Sequence, residues 1–305
     1  MQPLRLHLCF ARRVAILASI GVVATLTPGR LASAADQVAN HQLFAIRPDG
    51  SEVKQITRDL ASRFGSACMS PDGKQIAADC APAHLSVQET SVVIMDADGG
   101  NIRDLGPGSM PSWSPDGKLL TFHAYDGPGA IIVAQADGEG REEVAAHWGS
   151  PRWTADPRFI LSIFQYRAFA LLDLKTGKEE LIPLTGGSSP HEGFSISADQ
   201  KRICYADNTR GGLVVADLDG KYRLSNQQRF AGGSRCEHCS WSPDGKRVAF
   251  TNPAKSSGKA QLYLLDVDSG DPPAEIPGQN ADAVNVNPHW SSDGDWIIFS
   301  SDPPE

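Results

Sequence analysis

One turn sequence limits this chain more than any other feature. Ser-Pro-Asp-Gly occupies 114–117 and 242–245, each time after a tryptophan (Trp113, Trp241) and before a lysine and an apolar strand. Aligned on the residue that opens the turn, the copies start at Ser70, Ser114, Thr154, Ser197, Ser242 and Ser291, 40 to 49 residues apart. Such a period belongs to propellers and solenoids. Proline presets φ, aspartate bonds nearby N–H groups and glycine takes a positive φ, so each copy closes a hairpin. In two central copies Pro157 and Gln200 replace the glycine, and both turns are expected to deviate from the others.

The rest of the unit repeats in order. A large residue precedes the turn: Met69, Trp113, Trp153, Ile196, Trp241, Trp290. A strand follows, with Ile76, Leu120, Ile160, Ile203, Val248 and Ile297 in one column; Phe122, Tyr205, Phe250 and Phe299 stand two residues on, on the same face. A third strand, such as 92–95 or 262–265, a glycine turn and a fourth strand complete a four-stranded antiparallel sheet. One such sheet cannot bury both faces alone, so the units must stack. The segment at about 42–57 has only third- and fourth-strand character, and that at about 287–300 only first- and second-strand character. Pairing them closes an all-β ring of six blades and leaves no open sheet edge.

The Trp-Ser-Pro-Asp-Gly-Lys motif, with its apolar strand and the later Leu-Tyr-Leu-Leu-Asp at 262–266, resembles the TolB-like or PD40 (WD40-like) β-propeller repeat over about 41–302. The TolB family carries an α/β domain before its propeller. Here a stand-alone propeller is expected at 36–305. The resemblance implies a protein or peptide partner in the cell envelope. Related propellers also precede prolyl-oligopeptidase-type peptidase domains, but this sequence has no Gly-x-Ser-x-Gly elbow.

Residues 1–34 read as an export signal: Arg5, Arg12 and Arg13, an apolar run from Val14 to Leu26, and the small-residue site Ala32-Ser33-Ala34. Removing it leaves 24 basic against 36 acidic residues, a net charge of −12. That charge argues against nucleic acid and allows at most a peripheral association with anionic membrane. A periplasmic or envelope location is expected.

The recurrent aspartates (Asp72, Asp116, Asp156, Asp199, Asp244, Asp293) are read as turn braces. Function is expected in the loops before each first strand and after each second strand, which the resemblance places around one mouth of the central channel. These loops carry the candidate binding residues His123, Tyr125, His147, Trp148, Tyr166, Arg167, His191, Glu192, Arg210, Arg235, His238 and His289. His84, Gln165, Asp207 and Glu237 lie in the same loops. Clustered imidazoles can bind a transition metal or move protons, and His191, Cys236, His238, Cys239 and His289 are the candidate ligands for a divalent metal. The Cys236-Glu237-His238-Cys239 pair is read as a local disulfide or as buried thiols, and Cys204 as a small core residue. The leading expectation is a non-catalytic binding propeller. The alternatives are a metal-dependent enzyme resembling polysaccharide lyases, and a glycan or small-ligand binder at the same mouth.

Overall fold

The structure is a computed structural model that describes residues 40–302 apart from 60, 84–88, 126–128, 185–186, 232–234 and 254–258. The expected leader at 1–34 and His84 lie outside these residues, as does the side chain of Glu192. The described residues fall within one compact unit, Ser33–Glu305. They form six antiparallel sheets and no α-helix. None of their elements is a helix long and apolar enough to cross a membrane.

Blade 1 pairs a split inner strand, Ser62–Phe64 and Cys68–Met69, with Gln75–Pro82, Ser91–Asp96 and Arg103–Pro107. Blades 2 to 5 each run inner to outer in chain order, starting at Ser109–Trp113, Arg152–Trp153, Pro190–Ile196 and Glu237–Trp241. Blade 6 closes the ring. Its outer strands Val53–Gln55 and Gln42–Ile46 meet Ile297–Ser301 and Asn285–Trp290, with Phe44 opposite Phe299. This is the closure expected from the two chain segments.

The turns behave as the motif requires. Ser114 Oγ donates to Asp116 Oδ1 (2.7 Å), and the same carboxylate oxygen accepts from the Lys118 N–H (3.2 Å). Asp72, Asp199, Asp244 and Asp293 repeat both bonds. The turn at Pro157 does differ: Thr154 Oγ1 donates to the Asp156 carbonyl, and the closing bond runs from Phe159 N. The turn at Gln200 does not. Gln200 itself takes φ +61°, and its N–H bonds the Ser197 carbonyl as the glycine N–H does in other blades. Its side chain accepts from the Ala155 N–H of blade 3 (3.1 Å), which compensates the unfavourable backbone.

The blades are stitched at the column just before the large residue. Ser112, Ser195 and Ser240 accept from the N–H of Trp153, Trp241 and Trp290 in the next blade, at 3.1 to 3.3 Å. Two residues earlier, the inner strands of blades 2, 4, 5 and 6 lose register. A β-bulge re-aims the side chain it carries. Met110, His238 and Asn287 hold the same column at positive φ (55°, 39° and 57°), and Ser66, Ser150 and Gly193 hold it in the other blades. Eight of the twelve residues in these two columns line one cavity between the inner strands: Ser66, Gly193, His238 and Asn287 in this column, and Arg152, Ser195, Ser240 and His289 in the stitch column.

Candidate functional site

Two features make up the candidate site. The first is an arc of aromatic rings across blades 2 to 4. His123, at the end of a second strand, packs edge-on against Tyr125 (4.7 Å between centroids) and lies 6.2 Å from Trp148. Trp148 packs edge-on against Tyr166 (4.7 Å), and Tyr166 stacks with His191 at 6.1 Å. The buried Ser109 hydroxyl bonds His123 Nε2 (2.8 Å) and lies 3.1 Å from the Tyr125 hydroxyl.

Local backbone holds this arc in place. Tyr166 sits in a tight hairpin in which both Gln165 and Tyr166 have positive φ (49° and 55°), a conformation that side chains resist. Ser189 Oγ donates to the Tyr166 carbonyl (2.6 Å) and fixes the turn. Trp148 lies directly against the Gly129 backbone, where an added Cβ would come within 2.7 Å of the Trp148 Cβ.

The second feature is a cavity of about 180 Å³ in the channel, lined among others by Ser66, Arg152, Ser195, His238, Ser240, Asn287 and His289. Burial pushes His238 down to about 3, with His191 and Arg152 adding to the effect. Burial and Arg152 lower His289 to about 4, against a bond between its Nδ1 and the Trp290 carbonyl. His123 is likewise held at about 4 by burial, then by Arg152. All three imidazoles are therefore neutral near pH 7. Asp79 goes the other way. Burial raises its carboxyl to about 7, although it accepts from the Met110 N–H (2.6 Å) and from Ser66.

The expected residues divide accordingly. His123, Tyr125, Trp148, Tyr166 and His191 come together in the arc, and His238 and His289 in the cavity. His147 does not join them: its Nε2 lies 2.7 Å from Glu179 Oε1, and its ring packs edge-on against Phe164. Arg167 and Arg210 are exposed. Arg235 pairs with the buried Glu237 at 3.0 Å. Asp207 is also taken, by Arg229 and by the N–H groups of Ser189 and Thr209. Of the candidate metal ligands, His238, Cys239 and His289 line the cavity. Among the described residues no group of three or more His, Cys, Asp or Glu side chains could hold a metal ion. Cys236 lies by Asn252 Oδ1 and Cys239 by Cys204, so the Cys-x-x-Cys pair is split between two neighbourhoods. All five described cysteines are free, and Cys204 is fully buried in the core as expected.

Sequence reasoning missed Arg152, Asp79, Ser66 and Asn287. Three of them stand in the two columns that line the cavity, which can be read from the alignment by counting back from each large residue. Asp79 lies on a second strand and has no such signal.

The fold is that of the TolB-like six-bladed propellers. A solved structure provisionally assigned as TolB from Agrobacterium tumefaciens matches with a TM-score of 0.67 at 17% identity, over 87% of this chain and 99% of that one. TolB from Acinetobacter baumannii matches with a TM-score of 0.54 at 16% identity, over 81% and 65%. A chain of a nidogen–laminin complex matches at 0.57 and 13% identity, over 74% and 89%. No protein-family model matches the chain. An uncharacterised protein of Agrobacterium fabrum is 35% identical over 95 residues, which is 28% of this chain and 32% of that protein. The matched region is thus about a third of that relative.

Proposed function

We propose that this chain is a non-catalytic binding propeller, exported after removal of a leader at 1–34, that takes a protein or peptide segment of the cell envelope on its aromatic arc. The observation that carries this reading is the arc itself. Tyr125, Trp148 and Tyr166 offer large amphipathic surfaces, and a strained turn and a close glycine contact hold them in place at a cost in local stability. Rigid aromatic anchors of this kind dominate protein recognition because they bury much area for little lost rotamer freedom. Fold likeness to TolB supports a protein partner in general terms. Among the described residues, no group of three or more ligating side chains favours the metal-dependent enzyme reading.

The test is site-specific photocrosslinking in the native host, with a photoreactive residue at Tyr125 and, as a control, at Val53 on an outer strand. A discrete crosslinked protein at Tyr125 only, lost in a Trp148→Ala Tyr166→Ala variant, is expected. Absence of any crosslink, together with saturable binding of an oligosaccharide that depends on the same two rings, would replace the protein reading with a glycan one.

A further inference from the structure

The channel cavity has an unusual charge balance. The chain carries 36 acidic residues against 28 basic ones, yet among the described residues no Asp or Glu lines the cavity. The formal charge among its lining residues is Arg152. Arg152 stands in the stitch column where three other blades have serine, and its side chain lines the cavity. Nη1 donates to the carbonyls of Met110 (3.3 Å) and Pro151 (3.0 Å), which orients the guanidinium without neutralising it. Asp79 acts on Arg152 only through space, since its own carboxyl is engaged by Met110 N–H and Ser66.

His238 lines the same cavity. It is nine-tenths buried, and neither ring nitrogen has a hydrogen-bond partner among the described residues. Leaving two such atoms unpaired is costly unless something in the cavity meets them. Gly193 makes the room: a Cβ there would fall 2.9 Å from the His238 Cα and 3.1 Å from Cδ2. Ser195, Ser240 and Asn287 bring further polar groups to the walls.

We infer that the channel core is a binding site for one carboxylate group, paired with Arg152 and hydrogen-bonded by His238. The cavity has room for such a group and a few waters, each water needing about 30 Å³. A single positive charge flanked by neutral imidazoles matches a monoanion. A dianionic phosphate would keep one charge uncompensated in a buried site, which is expensive. A planar fork of donors on Arg152 suits a carboxylate in particular. The carboxylate can belong to a free small acid or to the end of a peptide chain. This inference stands whether or not the aromatic arc binds a protein.

The test is calorimetric titration and thermal unfolding of the purified full chain at constant ionic strength. The probes are sodium acetate, N-acetylglycylglycine, its C-terminal amide, and inorganic phosphate. Saturable acetate binding, weakened at least tenfold by Arg152→Gln, is expected. Tighter binding of N-acetylglycylglycine than of acetate, lost in the amide, would assign the group to a peptide end; equal binding would assign it to a free acid. No saturable binding, an unchanged response in Arg152→Gln, or preference for phosphate would overturn the proposal. Arg152 also supports the fold through two carbonyls, so a second measurement avoids the variant. In wild-type crystals soaked in sodium bromide, an anomalous peak at hydrogen-bond distance from Arg152 is expected. Peaks at surface lysines alone, an adventitious ion only, would count against the site.

Discussion

The sulfurs of Cys204 and Cys239 lie 3.2 Å apart, across the joint between blades 4 and 5. Neither residue is near its counterpart in sequence, and the Cys-x-x-Cys neighbour of Cys239, Cys236, faces Asn252 instead. Folded in the presence of a disulfide oxidant such as oxidised glutathione, the two thiols should lose two protons and two electrons to it and form a cross-blade disulfide. Burial holds the Cys204 thiol well above its usual range. The bond should therefore form while the blades assemble and only slowly afterwards. Peptide mapping without reduction checks this. A Cys236–Cys239 link, or free thiols at both Cys204 and Cys239, would count against it.

Gln200 allows the backbone and the side chain to be weighed separately. Gln200→Ala keeps the positive φ and loses the bonds to Ala155 and Ser197, and should cost about 1 kcal/mol. Gln200→Gly loses the same bonds but relieves a left-handed conformation costing roughly 1 kcal/mol, and should be close to neutral. Urea unfolding of the two variants side by side measures the difference. Equal stabilities would mean that the turn carries no strain.

Gly193→Ala should destabilise the protein by about 1–3 kcal/mol through overpacking, because the clash is with the His238 backbone, which a rotamer change cannot relieve. The same variant should weaken acetate binding by displacing His238. Unfolding and titration of one preparation test both. Full stability would show that the inner strands of blades 4 and 5 are free to separate.

The pH dependence of stability has a definite sign. His123, His238 and His289 have folded pKa values of about 4, 3 and 4, below the unfolded 6.5. Between these limits the unfolded chain binds more protons at all three, so their contribution is present above pH 6.5 and lost on acidification. Asp79, raised to about 7 from 3.8, acts oppositely: its contribution is present below pH 3.8 and lost as pH rises to 7. Between about pH 4.5 and 6, three terms oppose one. Unfolding should take up about two protons, and stability should rise with pH by at most roughly 2.7 kcal/mol per pH unit. Asp79→Asn should steepen this slope and stabilise the protein at pH 8. A slope that is flat or falls with pH would refute the assignment.

The ring, its blade count and its closure were legible because each repeat states its own turn, strand and packing residue, and because the end segments are complementary halves. The aromatic arc was legible as residues in the right loops, but not as contacts, since ring contacts between blades depend on bulges and strained turns. Gln200 illustrates the limit. Glutamine argues against a positive φ locally, and only the neighbouring blade's Ala155 N–H explains why the turn survives. Arg152 was overlooked for a related reason. It sits where its repeat is least regular, beside a turn altered by Pro157, and its role depends on reaching an axis that no single repeat defines. Asp79 acquires its character from burial against Met110 and Ser66, which strand periodicity cannot reveal.

The pairing of Gln42–Ile46 with Ile297–Ser301 has a consequence for how the chain is made. The first strand of the described residues finds its inner partner about 250 residues later. At ~5–20 residues per second that is a wait of roughly 10–50 s, with an unpaired apolar strand edge exposed. Blades 1 to 5 can form as they emerge, but the ring stays open until the last strand arrives. A nearly complete chain therefore still exposes the strand edge at 42–46, and closing the ring is what covers it.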